Sequence, residues 1–108
     1  MDNQTKAIDT PFGRRDAYGA LSMPVYHTAA YEFDTAADMA DAFTGRVIAP
    51  DYSRVMNPTV MYLEDKVKAL TNASNVVAFS SGMAAISNTM LALSATGKNI
   101  VTSRHMFG

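Results

Sequence analysis

Two short stretches of this sequence carry groups suited to holding an anion. The first is Tyr52-Ser53-Arg54. Arg54 is permanently charged, and its planar fork of donors matches a phosphate, while Tyr52 adds a phenolic donor. The second is Ser80-Ser81-Gly82-Met83, which joins a short apolar run, Asn75 to Phe79, to a segment with Met83, Ile86, Met90 and Leu93 at helical spacing. A strand, a serine-glycine turn and a helix start expose backbone N–H groups at the end of a helix that carries about half a positive charge. A charge-assisted hydrogen bond contributes about 1.5–3 kcal/mol, so Tyr52, Arg54 and a helix start together would hold a phosphate firmly. The expected anion is the phosphate of a cofactor. A surface ion pair for Arg54 and a plain strand-to-helix connection for the turn are the alternatives, and spacing leaves both open.

Other chemistries lack their residues. No G-x-G-x-x-G follows the run at 75–79, so a dinucleotide fingerprint is missing. Gly97-Lys98 is not a P-loop, because position 92 is Ala and Asn99 stands where Ser or Thr would bind magnesium. Ser81 is not in a nucleophile elbow, since Phe79 replaces the first glycine. His27 and His105 have no partner at metal-ligand spacing, and with no cysteine there are no disulfides or thiolate metal sites. The net charge of −1 without a basic block argues against nucleic-acid binding. No apolar run approaches a membrane span and the N-terminus has no signal-peptide core, so a soluble cytoplasmic protein is expected.

The elements that must position these groups follow from capping and periodicity. Residues 1 to about 33 lack helical periodicity and are punctuated by Pro11, Gly13, Gly19 and Pro24. Their aromatics, Phe12, Tyr18, Tyr26, Tyr31 and Phe33, predict an extended arm packed on another part of the protein or on another subunit, with a disordered tail, in which so many aromatics are unusual, as the alternative. Asp34 or Thr35 caps a short helix with Met39 and Phe43 as its apolar pair and Gly45 at its end. Asn57-Pro58 is a helix entry, with Asn57 as N-cap and Pro58 at the first helical position. Val60, Leu63, Val67 and Leu70 mark its apolar face, and it ends near Thr71-Asn72. Residues 75–79 and 99–103 read as strands flanking the helix that follows Gly82. Helix, strand, helix, strand predicts an α/β fold with a mostly parallel sheet, in 108 residues that suffice for one small domain. The chain stops directly after the second strand, which leaves that sheet incomplete and implies a longer protein.

Tyr52-Ser53-Arg54-x-x-Asn57-Pro58-Thr59, then Leu63-Glu64, then Ser80-Ser81-Gly82-Met83-Ala84-Ala85-Ile86, resemble the pyridoxal-phosphate-dependent enzymes of Cys/Met metabolism. Ala20 to Thr28, with Tyr31-Glu32-Phe33, is similar to that family's Pro-Ile-Tyr-Gln-Thr arm. The resemblance implies a fold-type I, aminotransferase-like architecture, with residues 1–50 as an arm carrying a short helix and 51–108 as the start of the large domain. It implies pyridoxal 5′-phosphate as cofactor and a homo-oligomer with a shared active site. Tyr52 and Arg54 would reach the phosphate of a neighbouring subunit, and Ser81, Gly82 and Met83 would hold it within their own. Phe107 would stack on the pyridine ring, where many members have tyrosine, and this favours the O-acetylhomoserine and O-succinylhomoserine sulfhydrylases over the lyases. The family's Schiff-base lysine is expected beyond Gly108, because none of Lys6, Lys66, Lys68 or Lys98 has its setting. The implied reaction is γ-replacement on an activated homoserine with sulfide or a thiol. A methionine or cystathionine γ-lyase, a cystathionine γ-synthase, a non-catalytic phosphate-binding module and an inactive fragment are the alternatives.

Overall fold

Among the described residues four capped helices carry the regular structure, and in each the cap residue explains where the helix begins. The structure is a computed structural model that describes residues 2–10, 17–94 and 97–105. Helix α1 (Asn3–Asp9) starts at Asp2, whose carboxylate accepts the Thr5 N–H at 2.8 Å. Helix α2 (Ala36–Phe43) starts at Thr35, which accepts the Asp38 N–H at 3.1 Å. Helix α3 (Pro58–Thr71) starts at Asn57, whose carbonyl oxygen takes the Thr59 N–H at 2.8 Å, with Pro58 in the first turn. It stops at Asn72, which sits in the left-handed region at φ 54 and ψ 29, a conformation that asparagine tolerates better than most residues. Helix α4 (Gly82–Leu93) starts at Ser81. Helices α2, α3 and α4 agree with the expected elements, and of Asp34 and Thr35 it is Thr35 that caps.

Helix α1 departs from expectation, because residues 3–9 fall inside the predicted extended arm. It carries no apolar stripe; its start rests on Asp2 and its position on contacts with α3. Lys6 Nζ reaches Asn72 Oδ1 at 3.5 Å, and the Tyr62 hydroxyl donates to the Thr10 carbonyl at 2.8 Å. Meanwhile Val60, Leu63 and Val67, the apolar face read from spacing, stay 42%, 54% and 37% exposed.

The larger correction concerns the sheet. Residues 75–79 and 99–103 take no regular secondary structure, and no strand forms among the described residues, whose one β-bridge is an antiparallel contact between Ala30 and Tyr52. A strand exists only through the ladder it shares with a neighbour, and a parallel neighbour comes from far along the chain. Without that ladder Val77 is 64% exposed, and no hydrophobic side chain among the described residues is buried. The described part is therefore all helical, and the α/β architecture is not completed within it.

Contacts divide the chain into two units, Met1–Val77 and Ala78–Gly108. The first holds α1, α2, α3 and the Ala30–Tyr52 bridge; the second holds α4 and described residues after it that form no regular element. No helix among the described residues is long and apolar enough to cross a membrane.

Two measurements check this account. The Asp2 carboxyl is held below its ordinary value of 3.8, first by the Thr5 backbone N–H and then by the Thr5 hydroxyl. A depressed folded value means the cap acts fully above 3.8 and is lost as pH falls through the lower folded value. The Thr5 amide resonance should titrate there, and Asp2→Asn, which keeps a capping oxygen, should abolish the titration. For α3, Asn57→Ala in the complete polypeptide should cost about 1 kcal/mol in chemical denaturation through the lost cap. Asn57→Asp should retain the cap while losing the bonds made by the amide nitrogen.

Candidate phosphate-binding site

Tyr52 and Arg54 are brought together. The Arg54 guanidinium lies over the Tyr52 ring, 4.9 Å from its centroid, and both side chains are exposed. They line an open cavity of about 420 Å³ with His27, Thr28, Ala29 and Ser53. The ion pair among the described residues is Arg46 with Asp41, at 2.7 Å, so Arg54 keeps its charge uncompensated by a described carboxylate. A cation stacked on a phenol ring costs little to hold and leaves the edge of the guanidinium fork open to an anion. The surface ion-pair alternative for Arg54 is not realised among the described residues.

A turn fixes this pair in place. The N–H groups of Val55 and Met56 both close on the Tyr52 carbonyl, at 2.8 and 2.9 Å. The arm runs alongside, with the Ser53 N–H donating to the Ala29 carbonyl at 2.9 Å. Asn57 donates from Nδ2 to the Tyr26 carbonyl at 3.0 Å and to Ser53 Oγ at 2.9 Å. One residue further into α3, Thr59 Oγ1 accepts the Tyr26 N–H at 2.8 Å and donates to the Pro24 carbonyl at 3.4 Å. The aromatic arm thus lies along the Tyr52–Thr59 stretch of its own chain. His27, Thr28 and Ser53 belong to the cavity although spacing singled out none of them for it. Ser53 was readable in principle, since it sits between two exposed side chains that share one side.

In the second unit, Ser81, Gly82 and Met83 open α4. Ser81 Oγ accepts the Ala84 N–H at 3.1 Å, which leaves its own O–H as a donor. The first bond of the helical ladder runs from the Ala85 N–H to the Ser81 carbonyl at 3.1 Å, so the N–H groups of Gly82 and Met83 precede it. A Cβ added at Gly82 would meet open space, and the residue does not occupy the left-handed region. Neither packing nor backbone conformation within this chain requires glycine there. Close approach of a ligand to the backbone is a demand that glycine would meet there. Each taken by itself, the donors at Ser81–Met83 in the second unit and Arg54, without a described carboxylate partner, in the first fit an anionic group.

The remaining expected residues separate. Phe107 lies outside the described residues. Of the lysines, Lys6 is bonded to Asn72, Lys66 Nζ stacks on the Tyr62 ring at 4.8 Å, and Lys98 lines a shallow groove with Thr89, Met90 and Leu93 at the end of α4. No group of three or more His, Cys, Asp or Glu residues capable of holding a metal occurs among the described residues.

Comparison with known proteins gives these residues a context. The chain is 40% identical over 89 residues to an O-acetyl-L-homoserine sulfhydrylase of Corynebacterium glutamicum, covering 82% of this chain and 20% of that protein. It is 38% identical over 104 residues to an L-methionine γ-lyase of Pseudomonas deceptionensis, covering 96% of this chain and 26% of that protein. Among solved structures, one described as an O-acetylhomoserine (thiol)-lyase of Campylobacter jejuni superposes with a TM-score of 0.82 at 26% identity. The superposition covers 90% of this chain and 23% of that one, and that crystal contains a pyridoxyl-lysine monophosphate. The chain thus spans about a fifth to a quarter of the length of the relatives it matches. The model of one family matches residues 4–108, which include both candidate anion-binding stretches, and on that match this chain belongs to the family of Cys/Met metabolism PLP-dependent enzymes.

Proposed function

We propose that this chain is the phosphate-clasping part of a pyridoxal-phosphate enzyme that replaces the γ-substituent of O-acetyl- or O-succinylhomoserine with sulfide or a thiol. In this reading residues 1–50 form the arm and 51–108 begin the large, cofactor-binding domain of a fold-type I homo-oligomer. The observation that carries it is the Arg54–Tyr52 pair, stacked at 4.9 Å in an open cavity without a described carboxylate partner.

The roles follow from the donors. Arg54 offers two parallel N–H bonds to a phosphate, and its charge offsets that of the anion. The Tyr52 hydroxyl adds a third donor without a change of protonation state. At the start of α4, the N–H groups of Gly82 and Met83 and the Ser81 hydroxyl orient the phosphate from the helix end. In the proposed assembly Tyr52 and Arg54 act on the phosphate of the neighbouring subunit, and Ser81–Met83 act on their own. When bound, pyridoxal phosphate supplies an electron sink for the carbanion formed at the amino-acid Cα. None of the residues named here moves a proton in that chemistry; they hold and orient the phosphate. Phe107, as the ring packed on the cofactor, favours the replacement reaction over elimination in this proposal. The second reading, a methionine γ-lyase, is favoured by a relative of that name at 38% identity, close to the 40% of the sulfhydrylase.

Four outcomes test the proposal in the complete polypeptide. Pyridoxal phosphate should bind with a new absorbance band; a protein that binds inorganic phosphate but produces no such band would instead be a non-catalytic phosphate module. Arg54→Ala should weaken pyridoxal phosphate binding about ten- to a hundredfold, the loss of a charge-assisted bond, and Tyr52→Phe only severalfold. Sharing between subunits is tested by co-expressing Arg54→Ala and Gly82→Val polypeptides. If the site is shared, one of the two sites in each mixed dimer draws on Arg54 from one subunit and Gly82 from the other, and tight binding returns. If both groups serve the same subunit, mixed dimers stay weak throughout. Release of acetate or succinate with uptake of sulfide separates the sulfhydrylase from a lyase, which releases methanethiol from methionine.

A further inference from the structure

The pair proposed to take the phosphate flanks a residue whose own hydrogen bonds all run to the protein. Along Tyr52-Ser53-Arg54 the side chains are exposed, half-buried and exposed in turn, and the stacking of Arg54 on Tyr52 puts those two on one side. Ser53, which lines the same cavity, is bonded to the arm. Its backbone N–H bonds the Ala29 carbonyl at 2.9 Å, and its hydroxyl donates to the Thr28 carbonyl next in line. The same oxygen accepts from Asn57 Nδ2 at 2.9 Å and lies 3.0 Å from the Tyr31 hydroxyl.

A serine hydroxyl has one proton and two lone pairs. With the proton on the Thr28 carbonyl and one lone pair taken by Asn57, the contact with Tyr31 closes only if Tyr31 is the donor. Ser53 Oγ is then saturated, and its three partners come from both arms of the turn: Thr28 and Tyr31 from the segment before it, Asn57 from the cap of α3. Such a node leaves the Tyr52–Arg54 turn one orientation relative to α3. A fixed pair forfeits less freedom when it takes up a ligand than a mobile one.

We infer that Ser53 is a positioning residue for phosphate binding, acting by fixing the turn that presents Tyr52 and Arg54, with Tyr31 as the proton donor that completes its hydrogen bonding. The inference rests on the reading of Tyr52 and Arg54 as phosphate ligands. It differs from a role in stability alone because it concerns the phosphate and not the rest of the cofactor.

The test compares equilibrium binding of pyridoxal phosphate with that of pyridoxal, which lacks the phosphate, in the complete polypeptide. Ser53→Ala should weaken pyridoxal phosphate binding about five- to tenfold, as expected for losing an orienting hydrogen bond, and leave pyridoxal binding unchanged. Ser53→Thr, which keeps the proton and both lone pairs, should restore the affinity. Tyr31→Phe, which removes one of the three partners, should produce a smaller loss of the same selectivity. Equal loss for both compounds, or unaltered binding of pyridoxal phosphate by Ser53→Ala, would overturn the inference. Arg54→Ala measured alongside separates the two levels: if it too leaves pyridoxal phosphate binding unaltered, the phosphate reading itself fails. If Arg54→Ala weakens binding and Ser53→Ala does not, the role of Ser53 alone is lost.

Discussion

The first unit depends on how the amide of Asn57 is shared. Its oxygen caps α3 through the Thr59 N–H, while its nitrogen donates to the Tyr26 carbonyl and to Ser53 Oγ. Rotating the amide to improve one set of bonds would break the other, so the start of α3 and the course of the arm are set together. This matters because no described hydrophobic side chain is buried. Apolar burial is non-directional and would tolerate small shifts of the arm. A network of hydrogen bonds, each with a net contribution of about 0.5–1.5 kcal/mol, is weak in sum but strict about angle and distance. Strictness of geometry is what a pair of anion-binding side chains needs.

Local rules account for what was legible in the sequence. Asn57-Pro58 and Thr35 specify helix starts through groups within three residues of each other, and α2, α3 and α4 appear where those signals put them. Helix α1 escaped because it has no apolar period; its one sign was Asp2 three residues before Thr5, a cap without a stripe behind it. The bonds between Tyr26 and Thr59 or between Ala29 and Ser53 join residues far apart in sequence, and side-chain spacing does not encode them. Type and spacing gave good reason to single out Tyr52 and Arg54, but not the cavity they share with His27 and Thr28. The strands at 75–79 and 99–103 were misjudged for the same physical reason: a β-branched run states a preference for extended backbone, and only a neighbour turns that into a ladder.

The second unit repeats the lesson in a different form. It exposes Phe79 before α4 and Met83 and Ile86 on α4, all of them residues that a completed sheet and its covering helices would enclose. The chain spans only about a quarter of its relatives, and the TM-score of 0.82 to a much longer chain is what such a local match produces. The helix start at Ser81 is less affected by this exposure, because its cap and the N–H groups of Gly82 and Met83 are set by the first turn alone. An anion site made of backbone donors can therefore be in place before the sheet behind it is complete.

The identity of residue 53 is constrained by proton count as much as by size. The position must give one proton to the Thr28 carbonyl and receive two, from Asn57 and Tyr31. Alanine offers nothing, and would leave a carbonyl and two donors to find water. Aspartate could receive both donors but has no proton for Thr28 when ionised, and its charge next to Arg54 would compete directly with a phosphate for the guanidinium. Asparagine has the donors and the acceptor, but on separate atoms too far apart to meet at one point. Only a hydroxyl concentrates one donor and two acceptors on a single atom, and only serine or threonine sets that atom this close to the backbone. The geometry asked of Tyr52 and Arg54 as proposed phosphate ligands is thus set by the hydrogen bonds of the residue between them.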